Sequence, residues 1–136
     1  KAQAQNFIKR VRMEPGDLPP VVDIETMGRS AEDKSHLVKD LHVYLDVLEA
    51  HYGVKPIIYT GHAFWNAHMD GSFGRYPLWL AQYGSKASIP TSWKSWTFWQ
   101  YSATGSVSGV SGDVDLDRYC CSLAELRSLT LPASHQ

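Results

Sequence analysis

Cysteine is nearly absent: the only two are the neighbours Cys120 and Cys121. Adjacent residues fit ordinary disulfide geometry poorly. Two free thiols are therefore expected, which argues for synthesis in a reducing compartment. An excess of either charge is also lacking. The 13 Lys and Arg oppose 14 Asp and Glu, for a net charge of −1 and a pI near 6.6. Such a chain has no global positive field to gather nucleic acid or an anionic membrane. No apolar run approaches the ~20 residues of a membrane span, and no signal peptide is visible. The six His form no His-Glu-x-x-His and no compact Cys/His set, so no metal is expected. No Gly-rich phosphate loop follows a strand, and there is no Gly-x-Ser-x-Gly elbow. No cofactor is expected.

What is present is an ordinary globular composition, 43% hydrophobic and 20% charged over 136 residues, enough for one core. Five Trp and seven Tyr stand out, many of them between Tyr59 and Tyr101. They suit either a sugar-binding cleft or a core. Residues 1–13 place Ala4, Phe7, Ile8 and Val11 at helical spacing and stop before Glu14-Pro15-Gly16-Asp17. Lys1 to Phe7 already reads as the inside of a helix, so a preceding segment is expected. Val21 to Glu25, after Pro19-Pro20, reads as a buried strand. Leu37, Leu41, Tyr44, Leu45, Leu48 and Tyr52 predict a helix, with Ser30 and Asp33 in capping spacing and Gly53 as the stop. Strands are predicted over residues 55–61, 77–83, 97–101 and 114–119. A short helix is predicted over residues 62–68, a hairpin turn over residues 102–106 and a small helix capped by Ser122. Helix and strand alternate at first, which implies a parallel sheet. Residues 84–96 leave little room for a crossover helix, so the sheet ends in plain strands.

Asp23 and Glu25 are two apart, so on a regular strand they share one face about 7 Å apart. In a buried strand each charge loses water and repels the other. At least one pKa should then rise, as a general acid near neutrality needs. Equally, both could sit at an exposed strand end and pair with a neighbouring cation. Asp113, Asp115 and Asp117 also alternate. Calcium is the rival reading there, but the run lacks the glycine and distal Glu of an EF-hand loop.

The ordered motifs Asp23-Ile24-Glu25, Pro56-Ile57-Ile58-Tyr59-Thr60, Leu78 to Tyr83, Trp96 to Ser102 and Gly112 to Tyr119 resemble glycoside hydrolase family 25, the Chalaropsis-type lysozymes. The likeness runs from about residue 4 to residue 120. It implies a modified TIM-like β/α barrel, here incomplete with about five strands, spanning residues 1–130 before a tail of residues 131–136. It also implies an N-acetylmuramidase cutting the β-1,4 bond between N-acetylmuramic acid and N-acetylglucosamine of peptidoglycan. Such a protein would act at the bacterial cell wall after release by lysis or secretion. Carried over by position, Glu25 would be the general acid, Asp23 its partner and Asp115 a third acid across the cleft, with a structural role for Asp117. Tyr59, Trp79, Gln100 and Tyr101 would line the sugar groove. The family's early Asp-x-Ser-x-x-Gln strand is not found in the sequence. A truncated or reduced barrel is therefore expected, with open edges that invite a homo-oligomer. A non-catalytic peptidoglycan- or chitin-binding remnant is the alternative reading.

Overall fold

The computed structural model describes residues 1–26 and 34–133. The elements are α1 (Ala2–Arg10), β1 (Val21–Asp23), α2 (Lys34–Tyr52), β2 (Ile57–Thr60), α3 (His62–His68), β3 (Leu78–Ala81), β4 (Phe98–Gly105), β5 (Val114–Tyr119) and α4 (Leu123–Leu129). The strands form one sheet in the order β1-β2-β3-β4-β5. β2, β3 and β4 run parallel, and β5 returns antiparallel to β4. This is the mixed α/β architecture the alternation implied, with no helix in the β3–β4 and β4–β5 connections.

The chain forms two compact units. One is built from Lys1–Val22, α2 and the C-terminal helix, the other from Asp23–Thr26 and Ile58–Cys120. In the helical unit Leu41, Leu45 and Leu48 recur at the spacing that gives α2 one apolar face, and all three are buried with Ala4 of α1. Phe7 meets Tyr52 edge-on at 6.2 Å, and the Tyr52 hydroxyl donates to the Val11 carbonyl at 2.6 Å. Gly53, at φ 75, lies in the left-handed region that stops a helix, its N–H donating to Glu49 O at 2.9 Å. The expected cap at Ser30 and Asp33 lies outside the described residues. Leu131, placed by expectation in a tail, exchanges backbone hydrogen bonds with Gly16 and Asp17 (3.0 and 2.9 Å).

In the second unit the strands alternate. Leu78, Leu80 and Trp99 bury one face of the sheet against Ile89, Trp93 and Trp96. Tyr59, Trp79 and Phe98 occupy paired register positions on the other. Behind β2, Trp65 of α3 is fully buried with Phe73 and Met69.

Two expectations are corrected. The turn predicted over residues 102–106 is strand instead: β4 continues to Gly105, with Ser102 opposite Leu116 and Gly105 opposite Val114. Gly105 is there to make room, since a Cβ at this position would lie 2.4 Å from Leu116 Cγ. The reversal falls later, where Gly109 and Gly112 take φ of 87 and 86. Gly105→Ala is expected to cost about 1–3 kcal/mol by overpacking, read as a lower urea midpoint at unchanged slope. The second correction concerns the thiols. Cys120 and Cys121 are disulfide-bonded, and as the chain has no others the bond joins neighbours. In an extended strand successive side chains point to opposite faces, and both cysteines lie past the end of β5.

Candidate active site

Every sequence-predicted site residue belongs to the second unit. In a parallel sheet, strand ends at one edge present side chains together, and the carboxyl ends are where α/β folds place their chemistry. Asp23 closes β1 and Glu25 lies two residues beyond it, so the strand stops short of the predicted Glu25. The segment is tied to β2 by Ile24 N–H donating to Tyr59 O (2.9 Å) and by the Thr60 hydroxyl donating to Ile24 O (2.6 Å). β5 runs the other way, so its first residues, including Asp115, reach the same edge.

Asp23 and Glu25 are both exposed, so burial is not the main source of their interaction. The Glu25 carboxyl is held above its ordinary 4.5, first by a hydrogen bond shared with the Asp23 side chain, then by partial burial and the Asp23 charge. Two carboxyls can share a hydrogen bond only if one carries a proton, and the upward direction at Glu25 means that it holds a proton to higher pH than an ordinary glutamate.

Tyr59 stands beside this pair. Its phenol is pushed up to about 12, first by burial and then by the charges of Glu25, Tyr83, Asp23 and Asp115. Ionisation destabilises the folded state only as pH rises from the unfolded value near 10 through about 12. Tyrosinate absorbance should therefore show a late step near pH 12 that Tyr59→Phe removes. A titration unchanged by that substitution contradicts the assignment.

The Tyr59 hydroxyl donates to Gln100 Oε1 at 2.6 Å, and the Tyr83 hydroxyl reaches the same oxygen at 3.4 Å. Gln100 Nε2 donates to Asp115 Oδ2 at 3.0 Å. Trp79 stacks edge-on to Tyr59 at 4.8 Å, and its indole N–H donates to Asp117 Oδ1 at 2.7 Å. Tyr59, Trp79, Gln100 and Asp115 are thus linked by contacts, and Glu25 and Asp23 act on Tyr59 through their charges. Tyr101 is not in the group. It packs with Trp99 (6.0 Å) on the other side of the sheet, under the Arg118 guanidinium at 4.5 Å. Tyr83 was missed by the sequence reading, although it closes the Leu78–Tyr83 motif. A groove of about 680 Å³ in the helical unit, lined by Ile8, Val11, Arg12 and Tyr52 among others, contains none of the predicted site residues.

Sheet order, carboxylate pair and flanking aromatics coincide with a profile match to Glycosyl hydrolases family 25 over residues 1–110. The chain belongs to this family. Lysozyme M1 of Streptomyces globisporus is 36% identical over 120 residues, 82% of this chain and 41% of that protein. The crystal structure of the bacterial lysozyme from Streptomyces coelicolor superposes with a TM-score of 0.85 at 33% identity, covering 95% of this chain and 64% of that one. The family 25 glycosyl hydrolase from Bacillus anthracis gives 0.82 at 28% identity, covering 95% and 62%. The chain thus spans less than half the length of the curated relatives it matches. Among the described residues no group of His, Cys, Asp and Glu is arranged to hold a metal, and no helix is long and apolar enough to cross a membrane.

Proposed function

We propose that this chain supplies the cleavage wall of a peptidoglycan hydrolase acting at the bacterial cell wall on the β-1,4 bond between N-acetylmuramic acid and N-acetylglucosamine. The observation that carries this reading is the Asp23 and Glu25 pair, tied through Ile24 to Tyr59 and Thr60 at the sheet edge, with the Glu25 carboxyl held above its ordinary range by its Asp23 neighbour. Glu25 is the general acid that protonates the leaving glycosidic oxygen. Asp23, on the same wall and in hydrogen-bonding contact, does not face Glu25 across the bond as the second carboxylate of an ordinary pair does. Its role is to orient the substrate's own N-acetyl group as nucleophile, with Asp115 as the third acid of the site. Tyr59 and Trp79 offer the sugar face, with Tyr101 left to packing.

The second reading is a wall-binding remnant without turnover. Incubation with purified cell walls separates the two. Cleavage predicts falling turbidity and soluble fragments whose new reducing ends are N-acetylmuramic acid. Retained binding without new reducing ends overturns cleavage by this chain. The outer strands β1 and β5 would pair with further polypeptide, and a solution mass reports whether a second copy supplies it.

A further inference from the structure

Gln100 is only 4% exposed, which is unlike a side chain waiting for sugar. Both the oxygen and the nitrogen of its amide hydrogen-bond within the protein. An ionised Asp115 offers only acceptors, so the Gln100 nitrogen must face it and the oxygen must face the tyrosines. That fixes one polarity along the chain of bonds: the Tyr59 hydroxyl donates to Gln100 Oε1, and Gln100 Nε2 donates to Asp115. The strands explain why one residue can do this. Gln100 lies opposite Asp117 in the β4–β5 register, so Asp115 is its diagonal neighbour on the same face. Tyr59 reaches it from β2, across β3.

We propose that Gln100 is a positioning residue for the cleavage assigned above. It fixes the Asp115 carboxylate and the Tyr59 hydroxyl relative to each other, and it does not contact the sugar. Resting on that reading, the inference gives the third acid its orientation. It also commits the Tyr59 proton inward, so the Tyr59 oxygen presents lone pairs to the cleft. The ionisable groups facing this network are Asp23 at the end of β1 and Glu25 beyond it, Tyr59 on β2, Tyr83 after β3, and Asp115 and Asp117 on β5.

Two substitutions test it. Gln100→Leu keeps bulk and removes both bonds, and kcat is expected to fall about 10²-fold, as for an ångström-scale misplacement, with KM nearly unchanged. Gln100→Glu sets a carboxylate where Nε2 lies 3.0 Å from Asp115. Its activity relative to the parent should recover as pH falls, because a protonated Glu regains one donor for Asp115 and one acceptor for Tyr59. Activity left unchanged in both variants would mean a space-filling role, and a raised KM at unchanged kcat would mean a sugar contact. Either overturns the proposal. A readout without turnover keeps it separate from the cleavage reading. The Gln100 side-chain amide resonance should shift with acidification in the parent and lose that response in Asp115→Ala. An amide signal indifferent to Asp115→Ala sinks the positioning role even if the chain cuts walls. A responsive signal in a chain that cuts nothing sinks only the cleavage.

Discussion

Glu25→Gln is expected to lower wall cleavage by about 10²–10⁴-fold, the usual contribution of a positioned general acid, while leaving the fold intact. Glutamine keeps the size and much of the hydrogen bonding of the side chain but has no proton to give to a departing alkoxide. The residue is exposed, and surface exchanges of this kind shift stability by no more than about 0.5 kcal/mol. Activity and melting should therefore separate cleanly. A variant that clears walls like the parent removes Glu25 from the acid's role.

The direction of the Glu25 shift adds a pH signature. Acid catalysis requires the protonated form, so cleavage should be present at low pH and fall as pH rises through the elevated Glu25 value. The largest cause of that elevation is the hydrogen bond shared with Asp23. Asp23→Asn removes the anion, and its amide can donate to an ionised Glu25, which favours the charged form. The alkaline limb of the rate profile should then move to lower pH. An unmoved limb means that the titrating acid is another group.

Elements whose signal is local were readable from the chain. α2 announces itself by Leu41, Leu45 and Leu48 on one face, and α4 by the Ser122 hydroxyl, which accepts from Glu125 N at 3.1 Å. The strands β1 and β2 follow prolines and β-branched runs. The Asp23 and Glu25 pair needed only a spacing of two. Its electrostatics followed only in part, because lost water and charge repulsion were the expected causes, and in the exposed pair a shared hydrogen bond comes first.

What escaped depends on pairing between distant segments. β4 extends past Tyr101 because β5 pairs with it through register shifts, although Ser, Ala, Thr and Gly there carry no strand signal. Gln100 and Tyr101 were both assigned to the groove, yet neighbours on a strand face opposite ways. Only Gln100 joins the acidic side, through partners 41 and 15 residues away. The Cys120–Cys121 bond was discounted from spacing alone, without knowing that the strand ends at Tyr119.

Trp65→Ala should produce the largest loss of stability in the unit that carries the site, about 3–5 kcal/mol, or roughly 10–20 °C in Tm. The indole is fully buried. Its ring meets Phe73 edge-on at 5.2 Å and Trp93 at 4.7 Å. Its N–H donates to Asp70 O at 3.2 Å and Ser92 Oγ at 3.1 Å. Alanine leaves a cavity that several aromatic walls must collapse to fill. It also leaves α3 without its anchor directly after β2, whose Tyr59 and Thr60 hold the segment running to Glu25. Trp65→Phe isolates the polar share. It keeps an aromatic ring and loses the N–H, so about 1–3 kcal/mol is expected. If thermal melts of both variants fall by the same amount, the hydrogen bonds rather than the packing hold α3. A loss under about 1 kcal/mol for alanine would mean that the Trp65 cluster is not the core of this unit.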